Sequence, residues 1–513
     1  MITLQKIQFL GIAYLLSLFT LAGQDTYINS FRLYEESTQE NGTTIFAKND
    51  HIYVGVGSVC EQKICAKYAK LNLTGEIEWK TKHLWTDNGN RNAILYHNGE
   101  LLLSSHERWS SPNVSFHLTR ISKDSGDSLA HYTYNYDSLS TEGIASDGIL
   151  MYKNKYLLYG ESREKKDGIP TGLIQWVNLK GEQIKLTKYR LPDNALVINR
   201  LEDLQPDSTG HLVFITTYRK DNKEYHVIRK LDSLGNVVKD IYIYANRSIK
   251  EIPKLAVDTR GNYIIAHRKR DENLTSYKQI LCVDTSGNYL WAYDILDVIS
   301  GNQYFIDKIR VTGDGGAIIS GYIQGRDLQD LIYNDAFVLK LDKNGQKEWE
   351  KRINFYDHKD TLLDFCSLLD VVPLDSGGYA AVGYHIYSNL PRITDLLLVQ
   401  LDKNGCVTGY DCSVDTFIVR TPIVSVPDEN VDKTDIMVYP NPFSDHFTVS
   451  NLSADIYRIS LSDMMGNLVY KQLINHDNES LIIDTFNWPN GLYIISAMDK
   501  YGNILQSRKV LKM

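Results

Sequence analysis

The chain lacks the short motifs on which most enzyme assignments rest. It has no H-E-x-x-H, no G-x-S-x-G, no P-loop and no G-x-G-x-x-G opening a helix. Nothing local therefore specifies a zinc protease, a nucleophile elbow or a phosphate cradle. Gly55-Val56-Gly57 sits inside a strand pattern, the wrong context for a phosphate loop. Six cysteines and thirteen histidines include no C-x-x-C pair, which argues against structural zinc; neither a metal nor another cofactor is expected. Positive charge is not in excess: 55 Lys and Arg face 63 Asp and Glu, a net charge of −8, so nucleic acid is not an expected partner. Beyond the N-terminus no stretch approaches the roughly 18 apolar residues of a membrane span, and the mature chain is expected to carry no transmembrane segment. No helical period or capping box recurs between residues 25 and 412, which removes the helical repeat folds.

What recurs instead is Lys340-Leu341-Asp342-Lys343-Asn344-Gly345-Gln346-Lys347-Glu348-Trp349. Alternating apolar residues lead into a tight glycine turn, and a second strand follows. Further copies centre on Gly75, Gly126, Gly181, Gly235, Gly287 and Gly405, spaced by 51 to 60 residues. Before each lies another turn followed by an apolar strand, as at Asp314-Gly315-Gly316-Ala317-Ile318-Ile319. In the sixth repeat four strands are legible, at 307–311, 317–323, 336–342 and 346–353. Seven units of four antiparallel strands predict an all-β, seven-bladed β-propeller over residues 24–412. Asp25–Glu35 reads as an outermost strand without its inner neighbours, and pairing it with the last repeat would close the ring. Asp342-Lys343-Asn344-Gly345 could pass for a calcium loop, but it lacks the later bidentate Glu, so a turn is the reading. Tyrosine is abundant, 34 against 14 Phe, which suits strands with one wet face.

The first 23 residues have the features of a secretory signal peptide: Lys6, an apolar run over 7–21, then small residues Ala22 and Gly23. In an oxidising compartment Cys60 with Cys65, and Cys406 with Cys412, can each close a small loop. Cys282 and Cys366 sit in strand patterns and read as buried thiols. Residues 413–435 form an unpatterned, Pro-containing linker. Short strands restart over 436–513, as expected of a small β-sandwich.

This last segment carries four motifs in order: Val438-Tyr439-Pro440-Asn441-Pro442-Phe443, Leu461 to Tyr470 around Gly466, Asn490-Gly491-Leu492-Tyr493, and Lys509-Val510-Leu511-Lys512. Together they resemble the C-terminal sorting domain of the type IX secretion system, an immunoglobulin-like sandwich. The resemblance implies a partner, the type IX secretion machinery, and motif positions Pro440, Asn441, Pro442, Gly466, Gly491, Tyr493 and Lys509. It also implies export to the periplasm by the signal peptide, then release or display at the outer cell surface. The propeller resembles other secreted propellers only in its blade grammar.

Topology sorts the propeller loops. The glycine turns all fall on one face of the disc, and the long, irregular connections fall on the other, where rigid scaffolds usually carry function. These bring Trp109, Tyr322, Tyr384 and Tyr387 to one side with Arg268 and His385, a set suited to an extracellular glycan or protein ligand. The expected function is a secreted, non-enzymatic binding module. The alternative is a secreted hydrolase or lyase acting on glycan or peptide at that face, its catalytic residues unassigned.

Overall fold

The computed structural model describes residues 26–31, 33, 39–60, 63–81, 93–106, 114–136, 141–164, 170–190, 198–220, 223–244, 253–270, 276–295, 302–326, 332–355, 365–386, 394–419, 436–452, 456–463, 468–474, 480–498 and 504–512. The expected signal peptide lies outside them. The chain divides into two compact units at Val419–Arg420.

The first unit is the seven-bladed propeller. Blade 1 runs from Glu40–Lys48 to Ile77–Lys80, blade 2 from Ala93–His97 to Ser128–Tyr136, and blade 3 from Thr141–Tyr152 to Gln183–Tyr189. Blade 4 runs from Ile198–Pro206 to Val237–Tyr244, blade 5 from Lys254–Val257 to Tyr289–Ile295, and blade 6 from Gln303–Val311 to Lys347–Phe355. Blade 7 contributes Phe365–Pro373, Tyr379–Ile386 and Thr394–Leu401, and its outermost strand is Tyr27–Phe31 from the other end of the propeller. The strand expected to close the ring does so, antiparallel, with Tyr27 opposite Gln400 and Phe31 opposite Leu396.

The repeated Asp-x-x-Gly has a local reason and a tertiary one. At Asp342 one carboxylate oxygen accepts the amides of Asn344 (2.8 Å) and Gln346 (2.7 Å), while the Gly345 amide donates to the Asp342 carbonyl at 3.0 Å. The carboxylate is spent on its own turn, as the turn reading requires. Gly345 has φ +80°, and a Cβ there would lie 2.3 Å from the Trp291 ring of the preceding blade. The same seat recurs around the disc: Gly126 on Trp79, Gly181 on Tyr132, Gly235 on Trp176, Gly287 on Ile241 and Gly405 on Trp349. The seventh is Gly75 on Tyr27, made by the closing strand. Two of the tryptophans also donate from Nε1 to a turn carbonyl, Trp79 to Lys123 (2.9 Å) and Trp349 to Lys403 (3.2 Å).

The innermost strands differ from the sequence reading in one systematic way. In blade 6 the strand begins at Gln303, not at Asp307, because a bulge at Asp307 separates the pairs Ile306–Gly321 and Lys308–Ser320. A bulge shifts the alternation by one residue. Tyr304 and Ile309 consequently share one core cluster although their spacing is odd, and the period-two pattern breaks. Blades 3 and 7 repeat the device between Ser146 and Gly148 and between Leu368 and Asp370. Opposite each bulge the second strand carries glycine; a Cβ at Gly321 would lie 1.9 Å from the Phe305 carbonyl oxygen. Carboxylates tie the inner ring together: Asp370 accepts the Ile45 amide of blade 1 (3.2 Å), and Asp203 the Leu255 amide of blade 5 (2.9 Å).

After its last turn the chain does not return as blade 7's outer strand, since that place is taken. Cys406 and Cys412 form a disulfide, and Thr416–Val419 pairs in parallel with Lys347–Phe355 as a fifth strand of blade 6. This corrects the expected linker at 413–435: its first residues belong to the propeller because Phe417 is buried in the core of blades 6 and 7. Residues 420–435 lie outside the described residues. Cys65 is disulfide-bonded, and the side chain of its expected partner Cys60 lies outside the described residues. Cys282 and Cys366 are buried free thiols.

The second unit is a small immunoglobulin-like sandwich. Met437–Tyr439, His446–Ser450 and Ser480–Asp484 form one sheet; Leu468–Leu473, Arg458–Asp463, Gly491–Met498 and Ile504–Lys512 form the other. Phe443, Phe447, Ile459, Ile483 and Ile495 fill the space between. Asn441 ties its turn to the last strand, donating to the Lys509 carbonyl (3.0 Å) and accepting the Leu511 amide (2.9 Å). Tyr493 donates its hydroxyl to the Pro489 carbonyl at 2.6 Å. Pro440, Pro442 and Lys509 are exposed, Gly491 is half-buried and Gly466 lies outside the described residues.

Ring closure by Tyr27–Phe31 yields a prediction. A chain beginning at residue 40 loses this strand and the Gly75–Tyr27 seat, leaving blade 7 with an open edge. It is expected to lose cooperative thermal unfolding, whereas a chain beginning at residue 24 keeps it. Calorimetry of the two decides, and equal melting curves would refute the closure.

Candidate functional site

The expected ligand residues lie at the loop-side ends of the second strands in blades 5 to 7, except Trp109 and Tyr387, which lie outside the described residues. Tyr322 follows the bulge-facing Gly321, and Tyr384 follows Gly383, so the two tyrosines hold equivalent places in neighbouring blades. Tyr322 stacks on Phe305 of the innermost strand, with ring centroids 4.6 Å apart and planes 6° off parallel. Above the Phe305 ring, at 5.5 Å from its centroid, sits the Lys278 ammonium of blade 5. Lys278 is directly opposite Arg268 in the antiparallel register, so both side chains leave the same flank of that blade. The structure thus links Arg268 and Tyr322 through Lys278 and Phe305.

His385 is placed differently. Its ring is fully buried, stacks on Phe355 at 3.9 Å, and shares a 3.1 Å hydrogen bond between Nδ1 and Ser30 Oγ of the closing strand. It belongs to the packing that holds the closing strand and is closed off from solvent. Alternation explains this: Tyr384 and His385 are consecutive in one strand and point to opposite flanks.

Three groups of this region escape sequence reasoning. Lys278 is only 7% exposed, and burial pulls its ammonium down to about 7 against the opposing pull of Asp307. Asp307, the bulged residue, accepts the Ser367 hydroxyl at 3.0 Å. On the third strand of blade 6, burial pushes the Asp335 carboxyl up to about 6, although Asn354 donates to it at 2.7 Å. A lysine near its neutral point can take up or release a proton at physiological pH. The break of alternation at Asp307 is the signal that marks this spot. Among the described residues no group of three or more His, Cys, Asp or Glu is arranged to hold a metal ion.

Between blades 4 and 5 the loop-side half buries two histidines. His226 is 2% and His267 5% exposed, with ring centroids 5.1 Å apart. His267 Nε2 pairs with Gln279 Oε1 at 3.1 Å. Burial lowers His267 to about 4, with Lys269 adding to the shift and Asp294 opposing it. Burial, then the neighbouring His267, pushes His226 well below its ordinary value. Burial and His131 bring His117 to about 4. These rings are neutral in the folded chain and charge more readily when it unfolds. Their contribution to stability is therefore complete above pH 6.5 and is lost as pH falls below it, down to about 4 for His117 and His267, at up to about 1.4 kcal/mol per group per pH unit. Melting temperature is expected to fall steeply across that window, and His226→Phe to flatten the fall. An unchanged slope in the variant would place the acid sensitivity elsewhere.

Comparison with known proteins bears on the two units unequally. Two curated relatives are an endo-acting ulvan lyase from Formosa agariphila, 29% identical over 89 residues, and ulvan lyase NLR42 from Nonlabens ulvanivorans, 29% identical over 116 residues. The matches cover 17% and 21% of this chain and 17% and 20% of those proteins, so the chain spans about a fifth of the relatives' length. Among solved structures, the β-propeller domain of the trilobed protease from Pyrococcus furiosus is similar at 9% identity and a TM-score of 0.38, over 71% of this chain and 94% of that one. The polysaccharide lyase Uly1 is similar at 9% identity and a TM-score of 0.41, over 72% and 91%. Likeness at that level carries no argument about activity. The match to a family is direct for the second unit: Asn441 and Tyr493 make the turn bonds described above, and residues 437–512 match the Secretion system C-terminal sorting domain. The chain is a secreted or cell-surface β-propeller protein whose C-terminal segment, residues 437–512, belongs to the secretion system C-terminal sorting domain family.

Proposed function

We propose that the propeller binds a glycan outside the cell, at the loop-side ends of blades 5 to 7, and releases it unchanged. The observation that carries this reading is the Phe305–Tyr322 stack beside Lys278, with Arg268 opposite. Aromatic faces suit sugar rings, and a guanidinium supplies directional donors to hydroxyls or carboxylates. Tyr384 extends the surface by one blade. Tyr322→Ala and Arg268→Ala are each expected to weaken binding of a polysaccharide found on a glycan array about tenfold, roughly 1.4 kcal/mol. Lys343→Ala and Asn404→Ala, in turns of the opposite face, are expected to leave it unchanged. Calorimetric titration decides, and the reverse pattern would move the ligand to the turn face.

A second reading is favoured by Lys278 itself and by the names of the two relatives. A glycan lyase abstracts the proton beside a sugar carboxylate; that electron pair forms a carbon–carbon double bond as the adjacent glycosidic C–O bond breaks and the departing oxygen takes up a proton. An amine poised near neutrality suits the abstraction. In this reading Lys278 is the base and Arg268 neutralises the carboxylate. Ulvan is the substrate to try, and unsaturated product, read by its ultraviolet absorbance, is the signature. The rate would rise with pH through about 7 as Lys278 loses its proton, and Lys278→Met would abolish it. Unsaturated product overturns the binding-only reading; intact polymer after prolonged incubation overturns the lyase.

The sorting assignment has its own consequence. A chain lacking residues 436–513 is expected to accumulate in the periplasm with a folded propeller. Immunoblots of cell fractions, with proteolysis resistance as the check on folding, read this out, and a normal extracellular yield would refute it.

A further inference from the structure

The half of the channel nearer the glycine turns holds a cavity of about 470 Å³. Its walls come from the innermost strands of six blades, with Tyr159 reaching in from a second strand. Gly148, opposite Tyr159 in the register, makes room for that ring: a Cβ there would lie 2.1 Å from the phenol oxygen. Volume of this size is typical of small-molecule sites.

Two cations line the cavity, Lys308 and Arg310, two residues apart on the innermost strand of blade 6 and so on one flank. Arg310 engages Asp370 through Nε (3.1 Å) and through Nη2, which reaches both carboxylate oxygens at 2.9 Å. Those bonds leave its Nη1 donors over. Lys308 reaches across the channel to Asp203 at 2.6 Å, one of the three donors an ammonium offers. The two carboxylates are more fully occupied than the cations. Asp203 also accepts the Leu255 amide, and Asp370 also accepts the Ile45 and Val371 amides. Gln205 cannot compete for a ligand, because it is tied to the backbone of Asp203, Leu255 and Val257. The two ion pairs balance in charge, but the cavity presents more hydrogen-bond donors than free acceptors. Asp203 itself is held at φ +54°, a left-handed conformation that aspartate adopts more readily than most residues and that recurs at ligand clamps.

We propose that this cavity binds a small oxyanion, the carboxylate of a sugar acid or a free sulfate, held between Arg310 and Lys308. The guanidinium gives directional donors and the ammonium a mobile point charge. The site is separate from the loop-side surface, and neither depends on the other.

The test is calorimetric titration of the full secreted chain in chloride buffer with sodium D-glucuronate, sodium sulfate and D-glucose. Glucuronate or sulfate is expected to bind and glucose not. Glucuronate alone binding identifies a sugar acid, whereas equal binding of sulfate identifies a free oxyanion. Lys308→Met is expected to weaken binding at least tenfold, and Ala47→Phe, which narrows the cavity, to abolish it. Tyr322→Ala is expected to leave it unchanged, which distinguishes this site from the glycan surface. A crystal soaked in sulfate provides a reading that needs no variant, with the anion expected within hydrogen-bonding distance of Arg310 Nη1. No heat with either anion, glucose binding as well as glucuronate, or full affinity in Lys308→Met would each overturn the proposal.

Discussion

The propeller depends on one contact made seven times: a turn glycine seated against a side chain of the blade before it. Six of the seats are aromatic, and Ile241 fills the other. The contact needs two properties at once. The turn must accept a positive φ, and no Cβ can stand between backbone and ring. Because each seat joins neighbours only, the ring is as secure as its last join. That join is Gly75 on Tyr27, where the first strand completes the last blade. The sequence order of the blades and their spatial order are thereby offset by one strand, and the chain's exit is diverted onto blade 6.

A second device, the bulge in the innermost strands, sets the inside of the ring. It turns Asp307 out of the alternation, forces glycine on the opposing strand, and places an aromatic residue just beyond that glycine in blades 6 and 7. The loop-side surface and the channel are both products of it. Around the channel, carboxylates are used first to hold backbone amides of the next blade, as Asp203 and Asp370 do. Arg310 and Lys308 answer them in charge but not in hydrogen-bonding capacity, since five guanidinium donors and three ammonium donors exceed what those two acids still offer. An inner ring built for stability thus arrives with donors to spare.

The sorting segment and the propeller are different units. The sandwich carries the sorting motif, and there Asn441 and Tyr493 act by tying turns down, leaving Pro440, Pro442 and Lys509 at the surface. The likeness to ulvan lyases covers about a fifth of the chain, so the proposed binding is argued from the propeller's own side chains.

The sequence by itself determined the number of blades, the turn at each Asp-x-x-Gly, the closing strand and the sorting segment. All of these are local, or repeat often enough that local signals add. The tertiary structure alone decided which side chains meet. A period-two pattern cannot show a bulge from within, so the true start of the blade 6 inner strand, Tyr304 and Phe305 included, was hidden. Arg268 and Tyr322 were legible as loop-side residues, but Lys278, which joins them, was one lysine among many until burial set it apart. His385 read as a ligand group because composition cannot tell the two flanks of a strand apart. Trp79, Trp291 and Trp349 could be counted in the sequence; that each seats the turn glycine of the next blade follows only once the chain has come round the ring.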